Sequence, residues 1–180
     1  SSTINFGSGQ LNNLDSVTGG TGTADVVSGT VTGLLASTGA LTISAVESVN
    51  LTTSGDNTLN LAGVTGATTV AVTDNVQTIT GLDLATSITL GLAGNATATA
   101  SEIDVTAADS TGSADTLKVV IENTLGATTS IIDASGIETL ALTQVDAANN
   151  STLDLTTFEG TSITLDAKAG VTVTTGEAAL

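Results

Sequence analysis

The side chains in this sequence able to do chemistry are carboxylates, and the informative ones stand beside glycine-rich turns. Asp25 closes the run Gly19-Gly20-Thr21-Gly22-Thr23-Ala24-Asp25, and Asp115 follows Gly112-Ser113-Ala114. A carboxylate at such a turn offers charged oxygens next to freed backbone carbonyls, a donor set that a calcium ion accepts together with water. Asp25 and Asp115 are therefore the first candidate metal ligands, with Gly20, Gly22 and Gly112 shaping their loops. Asp15, Asp104, Asp109 and Asp133 form a second group, because turn positions on successive coils of a repetitive fold stack in space though distant in sequence. The competing reading for each is a capped or solvated turn, a common use of Asp.

Composition narrows the choice of ion and of function. The chain has no Cys and no His, so zinc and redox ligand sets are absent, and oxygen donors favour hard cations, above all Ca2+. Eighteen Asp or Glu face two Lys, Lys118 and Lys168, for a formal net charge of −16. Nucleic acid and anionic lipid both require basic residues to meet phosphate, so neither is an expected partner. No run of about 18 apolar residues exists, so membrane insertion by a helix is not expected. Parallel β-helices do host polysaccharide lyases and hydrolases that use carboxylates as acid and base. Sugar sites, however, need aromatic platforms and polar anchors, and this chain has no Trp, Tyr, His or Arg. The sequence reads as non-enzymatic.

These carboxylates must be positioned by short strands. Period-two alternation recurs in Val49-Asn50-Leu51, Leu59-Asn60-Leu61, Val70-Ala71-Val72, Ile88-Thr89-Leu90, Leu153-Asp154-Leu155, Ile163-Thr164-Leu165 and Val171-Thr172-Val173. Such runs are half-buried strands. Gly, Asn, Asp, Ser and Thr clusters such as Ser54-Gly55-Asp56-Asn57 separate them and favour turns. Asn-Gly and Asp-Gly hairpin turns do not occur, and helical periodicity is nearly absent, so a coil of stacked parallel strands fits better than a sandwich of hairpins. Each coil sends Val, Leu or Ile inward and Thr, Ser, Asn or Asp outward. The expected fold is an all-β parallel β-solenoid, a β-helix or β-roll, forming a single domain over residues 1–180 of a longer chain.

Internal repetition points the same way. Gly22 to Val27 matches Gly112 to Leu117 at an offset of 90 (115 − 25), and Val46-Glu47-Ser48-Val49-Asn50-Leu51 matches Ile137-Glu138-Thr139-Leu140-Ala141-Leu142 at 91. Two related units follow, at about 14–99 and 103–174. Thr86-Ser87-Ile88-Thr89-Leu90 recurs identically as Thr161 to Leu165 at an offset of 75. The difference of 15 residues implies an extra coil in the first unit near Thr68 to Thr80. Glu47 and Glu138, at equivalent places, read as strand-flank residues or partners for an adjacent turn, and Phe6 and Phe158 as packing near a cap.

At the Gly19 to Val27 run, and in the recurring Ala-Asp-Thr-Leu (Ala114 to Leu117) and Gly-Ile-Glu-Thr-Leu-Ala-Leu (Gly136 to Leu142) elements, the chain resembles the RTX and S-layer proteins exported by Gram-negative bacteria. The run has that family's Gly-Gly-x-Gly start, with one extra residue before Asp25, and tandem nonapeptides are missing. The resemblance implies calcium bound between turns of a parallel β-roll, secretion to the cell surface, and a structural role in a self-assembling layer. Its partners would be copies of itself or adjoining domains in a lattice, and cell-surface polysaccharide reached through another domain. Two readings keep the fold and change the role. A repetitive stalk or adhesin segment would need no ion switch. An ice-binding solenoid would use Thr-x-Thr, as at Thr97 to Thr99 and Thr172 to Thr174, but needs Thr at the same place on every coil.

Overall fold

The computed structural model of the chain describes residues 1–12, 14–32, 41–54, 57–73, 76–91, 102–121, 130–145 and 151–176. Among them are seventeen strands and no helix, so no helix is long and apolar enough to cross a membrane. In chain order the strands are β1 (Thr3–Leu11), β2 (Ser16–Thr18), β3 (Val26–Thr32), β4 (Thr42–Ser44), β5 (Ser48–Ser54) and β6 (Asn57–Asn60). There follow β7 (Val64–Thr65), β8 (Thr69–Thr73), β9 (Val76–Leu82), β10 (Ser87–Gly91), β11 (Glu102–Ala107) and β12 (Thr116–Ile121). The last are β13 (Ser130–Asp133), β14 (Thr139–Gln144), β15 (Ser151–Leu155), β16 (Ser162–Ala167) and β17 (Val171–Thr175).

Strands β1, β3, β5, β8, β10, β12, β14 and β16 form one sheet in that order, β6, β9, β11, β13, β15 and β17 a second, and β2, β4 and β7 a short third. Every pairing is parallel. Parallel neighbours cannot be joined by a tight hairpin and need a crossover. Here the crossover is largely made of strands of the other sheets, so the chain advances as a parallel β-solenoid. Each of the seven alternating runs lies in or directly beside a strand.

Coil length follows from the register of the eight-stranded sheet. Partners lie 23 residues apart between Thr3 and Val26, 22 between Val26 and Ser48, 21 between Ser48 and Thr69, and 18 between Thr69 and Ser87. Beyond a longer step from Ser87 to Lys118, the spacing returns to 23, from Thr116 to Thr139 and from Thr139 to Ser162. The coil from Thr69 to Ser87 spans 18 residues, and the match of Thr161 with Thr86, from which an added coil near Thr68 to Thr80 was expected, does not follow the hydrogen bonding. The counterpart of Thr161 in hydrogen bonding is Thr68, at the start of the β8 coil. The N–H of Thr68 donates to the Glu47 carbonyl at 2.9 Å, and that of Thr161 to the Glu138 carbonyl at 2.8 Å.

The core is a set of stacked inward columns. One runs in register from Val27 through Val49 and Val70 and on to Val119 and Leu142, and all five side chains are buried. Parallel sheets covered on their inner face favour branched apolar residues, which stack on their like in the coil above. Close corners exclude larger groups. A Cβ on Gly19 would lie 1.8 Å from the Ala45 carbonyl oxygen, and Ala45 itself holds φ at +52° to bring its carbonyl there. Phe158 is buried at the corner after β15, while Phe6 lies partly buried on β1.

Candidate metal centre

The residue just before each long strand of the large sheet turns a corner, and these corners stack. The carbonyl of Asp25 accepts the N–H groups of Glu47 and Ser48, both at 3.1 Å, and the carbonyl of Asp115 accepts those of Glu138 at 3.2 Å and Thr139 at 3.0 Å. A corner amide points away from its own sheet ladder and needs another acceptor. Glu47 Oε2 accepts the N–H of Asp25 at 2.7 Å, and Glu138 Oε2 accepts the N–H of Asp115 at 2.8 Å. In both places a glutamate reaches back one coil to satisfy the corner amide beneath it.

Asp25 is tied down further. Its Oδ1 accepts the Ser2 N–H at 2.6 Å and its Oδ2 the Gly20 N–H at 2.8 Å. The Ser1 α-ammonium, 4.0 Å from Oδ1, makes the one ion pair among the described residues. The Gly20 and Ser2 amides hold the Asp25 carboxyl below its ordinary pKa, helped by the α-ammonium and opposed by burial; the residue is only 3% exposed. The sequence-predicted set Asp25, Gly20 and Gly22 is thus brought together, with a Cβ on Gly22 falling 3.4 Å from Oδ1. Asp115 and Gly112 repeat the arrangement more loosely. The Gly112 N–H donates to Asp115 Oδ2 at 3.1 Å, and a Cβ there would lie 2.7 Å from Oδ1, so any larger residue would push the Asp115 carboxylate aside.

Asp115 and Gly112 also line a groove of about 430 Å³ with Asp83 and Asp109. The Asp109 carboxylate accepts the Thr111 hydroxyl at 2.8 Å and its N–H at 3.1 Å, and both lower its pKa. Asp83 caps the next turn through the Ala85 N–H at 2.9 Å. It was not among the sequence candidates, since no glycine-rich run stands beside it. Asp15 closes the turn before β2, its Oδ2 accepting the Asn12 N–H at 2.8 Å.

Asp104 and Asp133 are placed differently. The sequence reading set them at turns, but Asp104 lies within β11 and Asp133 is the last residue of β13, and the two are register partners. Neighbouring strands run about 4.8 Å apart, so the carboxylates stand on adjacent coils of one face. They border a groove of about 400 Å³ with Thr78, Val105, Thr106 and Ser135. Burial raises the Asp133 pKa, and the charges of Asp104 and Glu159 raise it further, against a single lowering bond from the Ala134 N–H. Like charges directly opposite on a sheet repel.

Among the described residues no group of three or more His, Cys, Asp or Glu converges on one point. A calcium ion at Asp104 and Asp133 would therefore complete its shell with hydroxyls, carbonyls and water, as its flexible coordination permits. The two carboxylates supply oxygen donors, the kind a hard ion takes. Comparison of the chain with protein-family models, with curated proteins and with solved structures finds no match.

Proposed function

We propose that this protein is a non-enzymatic structural solenoid of an extracellular bacterial surface layer, whose folding and assembly are completed by calcium. The observation that carries the reading is the stacked pair Asp104 and Asp133, two carboxylates in register with a third charge, Glu159, felt at Asp133. A divalent cation there converts repulsion between coils into a bridge. On a chain of net charge −16, the same neutralisation favours the compact state as a whole. Without the ion the chain is looser, which suits export before folding.

The test is a calcium titration from excess chelator, followed by circular dichroism and light scattering, with magnesium as control. Strand signal, thermal midpoint and assembly should rise with calcium and not with magnesium. Asp104→Asn with Asp133→Asn should weaken calcium binding at least roughly tenfold, since two charged ligands are lost. An identical fold and midpoint in chelator and in calcium would sink the ion switch.

One set of contacts favours a second reading, a passive stalk or adhesin spacer. Asp25, Glu47, Asp115 and Glu138 spend carboxylate oxygens on backbone N–H groups, which locks the corners without metal. An ice-binding face fits less well. Thr172 and Thr174 of β17 do project together, but Asp154 interrupts the column at Thr174; Thr97 to Thr99 lie outside the described residues.

A further inference from the structure

The charged side chains of the strands are sorted by sheet. The eight strands of the large sheet carry only Lys118 and Asp166, and Lys168 follows directly after β16. The six strands of the second sheet carry Glu102, Asp104, Asp133 and Asp154 and no basic residue. With Lys168 counted, the first set sums to +1 (two Lys, one Asp) and the second to −4 (four acids). Both basic residues of the chain thus belong to the large sheet.

Lys118 stands third in β12, exposed between the buried Leu117 and Val119. Its register partners Ser87 and Ala141 carry no charge, and it makes no ion pair among the described residues. β10 and β14 flank β12 on its two sides, as β9 and β15 flank β11 and β13, so the outward faces of these strands owe nothing to where the sequence begins or ends. The two sheets enclose one core, so their outer faces look away from each other. β11 and β13 are neighbours in the second sheet, and β12 lies between them in the chain. Successive coils rise by one strand spacing of about 4.8 Å. Lys118 therefore sits at a height between Asp104 and Asp133, on the other side of the solenoid. An exposed cation level with an opposed acid pair, each on its own outward face, is a complementary couple that one molecule cannot close on itself.

We propose that the Lys118 face of one copy docks on the β11–β13 face of a second, with the ammonium received among Asp104, Asp133 and Asp154. Asp154 lies one strand on, in register with Ile131. The contact joins two different faces, so it repeats from copy to copy and lays solenoids side by side instead of closing a two-fold pair. Pairing acid face with acid face is disfavoured, because like charges would meet. The contact deepens the surface-layer reading and rests on it for its biological use. Calcium on Asp104 and Asp133 would reduce the charge of the receiving strands from −4 to −2, so ion and lysine act together and do not exclude each other.

The experiment is sedimentation velocity on the whole chain across a concentration series, in chelator and in calcium. The wild type should self-associate, and less so as salt rises from ~0.05 to ~0.5 M, where screening shortens the reach of the charges. Lys118→Glu and Asp133→Lys should each weaken self-association at least roughly tenfold, because each sets like charge against like, with the circular dichroism unchanged. Asp154→Lys takes the place of Asp133→Lys if that variant alters the spectrum. Mixed in equal amounts, the Lys118→Glu and acid-to-Lys variants should associate again, since the intact acid face of the first accepts the intact Lys118 of the second, a rescue that a folding defect would not give. Association that needs Lys118 in chelator as well as in calcium sustains the contact even if the calcium switch fails. Association that grows with calcium yet ignores Lys118→Glu would overturn the contact and leave the calcium reading standing. A wild type monomeric at every concentration, or variants that fail to rescue each other, would overturn it as well.

Discussion

The corner ladder and the β11–β13 face use the same residue type to opposite effect. At the corner, Asp25, Glu47 and their counterparts Asp115 and Glu138 point carboxylate oxygens at amides that the bend has taken out of the sheet. The charge there replaces a missing acceptor and holds one coil on the next. On the sheet face, Asp104 and Asp133 meet in register, and at Asp133 burial and the charges of Asp104 and Glu159 outweigh the one bond from the Ala134 N–H. An acid in a parallel solenoid is a clamp where the chain turns and a source of repulsion where it runs straight, unless a cation intervenes.

The largest expected effect comes from breaking a clamp. Glu138→Ala leaves the corner amide of Asp115 without its acceptor and should cost about 1–3 kcal/mol in urea unfolding. Glu138→Gln keeps an acceptor oxygen at the same place and should recover much of that loss. If Ala and Gln behave alike, the hydrogen bond is not what holds the corner.

The sheet-face acids should respond with the opposite sign. Asp133→Asn removes one of two opposed charges and should stabilise the cation-free protein at neutral pH by about 0.2–1 kcal/mol, while weakening the response to calcium. A loss of stability in chelator would show that the pair is held together by something other than an ion.

Acid separates the two regions further. Asp25 has a folded pKa below its ordinary value of 3.8, so its contribution is present above 3.8 and lost as pH falls through the lower folded value. Asp133 has a folded pKa above 3.8, so its ionisation burdens the fold at neutral pH and the burden is gone below 3.8. The difference in stability between wild type and Asp133→Asn should therefore shrink as pH falls from 7 toward 4. The fall below 3.8 should remain in both. A difference independent of pH would remove Asp133 ionisation from the account.

The smallest expected effect tests the corner backbone. Ala45→Gly relieves a positive φ next to Gly19 at the cost of a freer unfolded chain, so the net gain should stay under about 1 kcal/mol. A clear loss would mean that the Ala45 methyl packs more than the backbone strains.

Much of this was legible in the sequence. Val49, Leu51, Val70, Val72, Leu153 and Leu155 declare their strands by alternation alone, because period two has no other economical reading in a chain without helical periodicity. The glycines beside Asp25 and Asp115 marked the loops that wrap those carboxylates. β12 was harder to see, since Val119, Val120 and Ile121 run together and hide the alternation. β1 was harder still, because Gly7 and Gly9 dilute its pattern.

The sequence by itself determined the coil, the inward and outward faces, the acidity and the restriction to oxygen ligands, since these follow from local periodicity and composition. Only the tertiary structure decided which acids meet. Glu47 lies 22 residues from Asp25 and Glu138 23 from Asp115, whereas Asp104 and Asp133 meet across 29 (133 − 104). Coils of 18 to 23 residues and one longer step leave no fixed offset from which such neighbours can be counted. Register is set by how whole coils stack their apolar columns, and only that stacking made one carboxylate a clamp and another half of a candidate calcium site.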